Sequence, residues 1–267
     1  MIGQQKIKDM YLKWFKENKL PKVSIINAPQ GYGKKEFIKW LSNETNIPYK
    51  IFSSKIDDIR NAIKASQNEY TLQFYVFEDF EYNSNSKIIQ NSILKLFEEP
   101  PKNIYIFLLC TDCTLLLPTI YNRGIKVDFE GYSKEELALF NSNEKALEIF
   151  NNPKDLLLVK DIEINDLLEV ITKIADKLDL ANISNALKLN NYIKSKDNET
   201  GYDLHIFFTT LKYILLHKYY NSGDETILNK FKYIEEALNH IKNNSKYVMD
   251  MFLLRNYVEN KKWTLKF

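Results

Sequence analysis

Apolar and polar positions alternate along this chain with two different periods, and the change of period divides it. Over residues 4–18, Ile7, Met10, Tyr11, Trp14 and Phe15 recur at helical spacing and mark one face of a helix. That stripe is the expected docking face against a sheet. Residues 22–27 form a short β-branched run, which predicts a strand. It leads through Ala28-Pro29-Gln30-Gly31-Tyr32-Gly33-Lys34-Lys35 into a helix that runs through Trp40. Residues 49–53, just past Pro48, predict a second strand, and Ile56-Asp57-Asp58-Ile59-Arg60 opens another helix. Next comes an apolar strand that ends in two acids, Tyr75-Val76-Phe77-Glu78-Asp79. A helix over 85–99 is stopped by Pro100-Pro101, since neither proline supplies the amide a continuing helix needs. Apolar runs at 104–110 and 125–129 complete the strands.

After Gly131 the strand pattern ends. Segments 133–160, 163–177 and 179–194 carry Leu, Ile and Ala at helical spacing. Asp197-Asn198-Glu199-Thr200-Gly201 is a polar break, and helical patterns return over 202–221, 224–243 and 245–260. The expectation is a parallel-sheet α/β domain over 1–130, a small helical lid over 131–175 and an all-α domain over 176–267. The later helices carry more apolar surface than one small bundle needs, so part of it is expected to meet other subunits.

Composition narrows the function classes. The chain has 267 residues, enough for two or three domains, with 37 basic against 35 acidic side chains. A net charge of +2 gives no field for autonomous nucleic-acid binding. The terminal Lys261-Lys262-Trp263-Thr264-Leu265-Lys266 reads as a charged helix tail. Cys110 and Cys113 make a single C-x-x-C, and the histidines (His205, His217, His240) lie far off in helical segments. No metal site is expected from them, since zinc takes four ligands. Two thiols and no disulfide framework fit a reducing cytoplasm. No apolar run approaches the ~20 residues needed to span a bilayer, and the start of the chain lacks signal-peptide character. The expected setting is cytoplasmic.

Strand, acids and the glycine segment have a chemical logic. Gly31 and Gly33 ahead of a helix let backbone amides converge on an anion, and Lys34 adds charge. A working phosphate loop reads G-x-x-x-x-G-K-[ST], with the last hydroxyl on magnesium. Here Ala28 holds the first glycine position and Lys35 the hydroxyl position. An ammonium cannot ligate a cation and repels one. No Ser-His-Asp or Cys-His arrangement offers hydrolase chemistry instead.

Asn91-Ser92-Ile93-Leu94-Lys95-Leu96-Phe97-Glu98-Glu99-Pro100-Pro101, followed by Pro118-Thr119-Ile120 and an arginine, resembles the AAA+ clamp-loader proteins. Those read "NaLLKtLEEPP … lLpTIxSRC", and the Ile56–Arg60 segment is similar to their "idqIR". Within the group the chain is most similar to the delta-prime subunits of bacterial DNA polymerase III. The resemblance covers about the first half of the chain and rests on several motifs in the right order. Delta-prime proteins often carry a four-cysteine zinc module between loop and acids, and this chain lacks it.

The resemblance assigns roles. Glu78-Asp79 stands where active relatives carry Asp-Glu, in reversed order. Thr111 sits near the sensor position that touches the γ-phosphate in active members. Arg123 matches the arginine that reaches a neighbour's ATP, although Asn122-Arg123-Gly124 replaces Ser-Arg-Cys. Gly31, Gly33, Lys34 and Lys35 would form a degenerate loop, with ATP bound by neighbouring subunits and no cofactor here. The implied chain lacks ATP hydrolysis of its own but belongs to the polymerase III holoenzyme. Its partners would be gamma/tau and delta subunits in a hetero-oligomeric ring, and through them the sliding clamp and primed DNA, with no membrane. Two other classes stay open: a diverged but active gamma/tau-like ATPase subunit, and a DNA-binding module acting alone.

Overall fold

A computed structural model describes residues 1–78, 81, 86–178, 204–238 and 252. The helices expected over 179–194 and 245–260 (Phe252 apart), and the break at 197–201, lie outside them. Two compact units are present: Met1–Phe140 with Asn152–Lys154, and Asn141–Asn151 with Asp155–Phe267.

The first unit is built on a five-stranded sheet. Its strands are β1 (Val23–Asn27), β2 (Tyr49–Phe52), β3 (Gln73–Glu78), β4 (Ile104–Cys110) and β5 (Ile125–Asp128). Their order is β2-β3-β4-β1-β5 and every pair is parallel. Parallel strands need crossovers, and helices supply them: α2 (Lys34–Thr45), α3 (Ile56–Gln67), α4 (Ser86–Glu98) and the short α5 (Pro118–Tyr121). Helix α1 (Gln5–Lys16) precedes β1.

Such a sheet is covered on both faces, which is why β3 and β4 read as continuous apolar runs rather than alternating ones. On one face Ile25, Tyr75, Phe77, Ile106 and Leu108 pack with Ile59 of α3, Ile93 and Phe97 of α4, and Ile120 of α5. On the other, Ile26, Phe74, Val76, Phe107 and Leu109 pack with Tyr11 of α1 and with Phe37 and Leu41 of α2. Tyr11 meets Phe37 edge-on at 5.1 Å, and Phe74 meets Phe107 in the same manner at 5.1 Å. The docking stripe expected on α1 is present: Ile7 and Tyr11 are buried, and Met10, Trp14 and Phe15 pack against that cluster. Gln4, just ahead of α1, exchanges hydrogen bonds with the backbone of Glu130 at 2.7 and 3.0 Å, which ties the start of the unit to the chain beyond β5.

The helical pattern over 133–160 resolves into three short helices rather than one: α6 (Lys134–Ala138), α7 (Glu144–Ile149) and α8 (Pro153–Leu158). Local polar bonds explain the breaks. Ser133 and Glu136 form a reciprocal capping box at α6. Asn141 Oδ1 accepts from the Asn143 amide at 2.9 Å, and Asn143 Oδ1 accepts from Ala146 at 3.1 Å, so asparagines compete with helix continuation. Pro153 then starts α8. In the second unit, α9 (Ile164–Leu178) packs with the helix Leu204–Ser222, and 226–238 is also helical. Buried Asp155 pairs with His205 there at 3.1 Å. Among the described residues, no helix is long and apolar enough to cross a membrane.

Gly124 stands just ahead of β5, where β1 leaves no room for a side chain. A Cβ there would lie 2.8 Å from Ile25 Cγ1 and 3.2 Å from Val23 Cγ1. Gly124→Ala is expected to destabilise the fold by about 1–3 kcal/mol. Urea denaturation should show a lower midpoint with an unchanged slope; an unaltered midpoint would mean that the strand shifts freely.

Candidate functional site

The sequence motifs converge at the carboxyl ends of the strands. Strand β1 lies between β4 and β5, so the segment leaving it emerges beside both. The register pairs Asn27 with Cys110 and with Asp128, and the Ala28 amide donates to the Cys110 carbonyl at 3.0 Å. Thr111, the residue after Cys110, therefore sits next to the start of the glycine segment. Glu78 ends β3 opposite Leu109 of β4, one strand further out. In open α/β sheets a crevice of this kind, outside the carboxyl ends of the strands, is where ligands bind.

Between β1 and α2, Gly31 and Gly33 take φ of +86° and +79°, a left-handed backbone that a side chain would strain. Gly33 caps α2, so the first helical amides open toward the crevice. Lys34 turns back on the loop: its Nζ donates to the Ala28 carbonyl and to Pro29 O at 3.1 Å. Lys35 reaches across to β3, where its Nζ pairs with Glu78 Oε2 at 2.7 Å. Glu78 is mostly buried, at 15% exposure, whereas Lys35 is 64% exposed. The cation that faces the β3 acid is thus a side chain of the same molecule. Asp79 lies outside the described residues.

The loop is also covered by a segment distant in sequence. A Cβ built on Gly31 would meet Asn152 Oδ1 at 2.4 Å and Lys154 Cβ at 3.1 Å. Tyr132 reaches the loop from another side, donating its hydroxyl to the Tyr32 carbonyl at 3.0 Å with the two rings edge to face. Burial pushes the Tyr132 phenol above its ordinary range, so it stays a donor. Neither contact has a local sequence signature.

Opposite the loop, polar side chains fix the turns. Asn27 donates to Asp128 at 2.7 Å and accepts from the Cys113 amide at 3.0 Å. Asp112 accepts from the Thr114 amide at 2.9 Å and from its hydroxyl at 2.6 Å, and these bonds hold its carboxyl below the usual range. The Thr111 amide donates to buried Glu81. Cys110 and Cys113 are buried free thiols, and burial raises the Cys113 thiol.

Arg123 stands apart from this cluster, in the turn between α5 and β5. Its Nη2 donates to Glu98 Oε1 at 2.8 Å, and both side chains are about four-tenths exposed. The segment ahead of α5 is anchored by Gln90 of α4, which is 1% exposed. Gln90 Oε1 accepts from the Leu117 amide at 2.6 Å, and its Nε2 faces the Leu115 carbonyl at 3.5 Å. A glutamine on the Ile93–Leu96–Phe97 stripe was the available sequence sign. Gln90→Leu would leave the Leu117 amide without its acceptor, so a loss of about 1–3 kcal/mol is expected in urea denaturation. Wild-type stability in that variant would show that the bond contributes nothing.

Comparisons with known proteins bear on this arrangement. Residues 49–133 match the sequence model of the family described as "DNA polymerase III, delta subunit". A solved structure of a DNA polymerase III gamma subunit-related protein from Thermotoga maritima is similar at 18% identity and a TM-score of 0.51. That match covers 94% of this chain and 99% of the other. The Thermotoga maritima RuvB Holliday junction branch migration motor matches at 17% identity and a TM-score of 0.47, over 64% of this chain. The chain spans 64% of that motor's length. No curated protein matches in sequence.

Proposed function

We propose that this chain, which is similar over residues 49–133 to the family described as DNA polymerase III, delta subunit, is the delta-prime subunit of a DNA polymerase III clamp loader. In this reading it hydrolyses no ATP. It holds the ring of gamma/tau and delta subunits together, helps place the sliding clamp on primed DNA, and lends Arg123 to a neighbour's nucleotide site. The observation that carries the reading is the Lys35–Glu78 ion pair at 2.7 Å.

Metal-assisted phosphoryl transfer needs a divalent cation between the loop hydroxyl, an acid and the phosphates. Lys35 replaces that hydroxyl with a positive charge, and Glu78 Oε2 is already paired with it. Bringing magnesium to Glu78 would mean breaking the pair and placing the cation beside an ammonium. Lys34, which would meet the β- and γ-phosphates, spends its donors on loop carbonyls. Asn152 and Lys154 cover the loop at Gly31. Each contact favours a scaffold over a hydrolytic site.

Arg123 fits the complementary role. It is exposed and its guanidinium is held by one exchangeable carboxylate. Exposed apolar side chains, Leu115, Tyr121 and Ile125, lie close to it in the chain. In trans, such an arginine balances charge on the transferring phosphoryl group and contributes ~10³–10⁵ in rate where it operates.

Two outcomes are expected. The isolated protein should show no magnesium-dependent ATP hydrolysis above background, and Lys35→Thr alone should not restore it; turnover that vanishes in Lys34→Ala would contradict the scaffold reading. In the reconstituted loader, Arg123→Ala should leave assembly intact while clamp- and DNA-stimulated hydrolysis falls by up to one finger's share. Arg123→Lys should recover only part, since an ammonium lacks the planar fork. Unchanged steady-state rates in both variants would remove the finger role.

A further inference from the structure

Glu98 is the last residue of α4, and Pro100-Pro101 fix where that helix stops. Its carboxylate therefore projects from a helix C-terminus, which itself carries partial negative charge. Arg123 is drawn to both, and its Nη2 lies 2.8 Å from Glu98 Oε1. The same helix supplies Gln90, which pins the turn leading to Arg123. Helix α4 thus anchors the segment ahead of α5 and holds the guanidinium of the arginine that follows it.

We propose that Glu98 is the resting counter-ion of Arg123, a positioning residue that holds the guanidinium at the end of α4 until a polyphosphate on a neighbouring subunit displaces it. This rests on the finger role proposed above. The exchange is physically reasonable because the pair is weak and its competitor strong. Glu98 is 44% exposed and Arg123 41%, so water screens their attraction. A terminal phosphate offers several charged oxygens in a geometry that the guanidinium fork matches with two bonds. Glu98 then acts as a competitor: it lowers the fraction of time Arg123 spends on the neighbour's nucleotide when nothing else favours engagement. Hydrolysis without clamp or DNA is restrained, and the restraint disappears once the assembled ring presses the two sites together.

The test uses the reconstituted loader with wild type, Glu98→Gln, Arg123→Ala and the double variant. Glu98→Gln keeps the shape of the side chain and removes its charge. Its unstimulated kcat should rise by about one-and-a-half- to fivefold, the range a half-exposed ion pair can restrain, with KM for ATP unchanged. The difference from wild type should shrink as salt is raised, because salt screens the pair that Glu98→Gln lacks. In the Arg123→Ala background the same change should have no effect. An unchanged or lowered unstimulated kcat in Glu98→Gln, or an equal rise without Arg123, would overturn the counter-ion role. If Arg123→Ala slows stimulated hydrolysis while Glu98→Gln alters nothing, only this proposal fails. If Arg123→Ala itself has no effect, the finger role fails and takes this proposal with it.

Discussion

The position of β1 between β4 and β5 is the constraint on which the rest of the first unit depends. Parallel pairing on both edges buries β1 from Val23 to Ile26 and forces its exit at one place, beside Cys110 and Asp128. The glycine segment, the end of β4 and the chain beyond β5 meet there. Packing on both sheet faces makes the arrangement rigid, since a shift of one strand would move side chains into both aromatic clusters. A frame of this kind holds the geometry of the loop independently of what the loop binds.

Within that frame, the residue at position 35 decides what faces Glu78. A hydroxyl at position 35 would leave Glu78 waiting for a cation. Lysine supplies a positive charge to one oxygen of the acid, Oε2, whereas Oε1 is buried without a hydrogen-bond partner among the described residues. The contact is worth little as stability, because Lys35 is largely exposed. Its consequence is a matter of occupancy rather than energy: the acid has a partner before any metal arrives. Arg123 shows the same economy, resting on Glu98 of its own chain.

Much of the fold could be read in the sequence, for physical reasons that differ by element. The runs at 73–78 and 104–110 announced buried parallel strands, and the α1 stripe announced its docking face. The glycines of the loop were legible because only glycine takes their backbone angles cheaply. What stayed hidden depended on contacts between distant residues. Nothing in the local pattern tells that Asn152 would sit on Gly31, that Glu98 would hold Arg123, or that Lys35 would span to Glu78. The split of 133–160 into three helices was legible in principle, since Asn141, Asn143 and Pro153 are cap and start residues, but the leucine periodicity masked it. The chemical roles of the loop residues and Arg123 came from motif resemblance; the geometry adds what each side chain touches.

Calorimetric titration of the isolated chain with ATP, with and without magnesium, tests the central claim most directly. If the Lys35–Glu78 pair holds the cation's place, magnesium should add no saturable heat, and Glu78→Gln should leave the titration unchanged. Saturable, magnesium-dependent binding that is lost in Glu78→Gln would show that the acid accepts a cation after all, and would contradict the account.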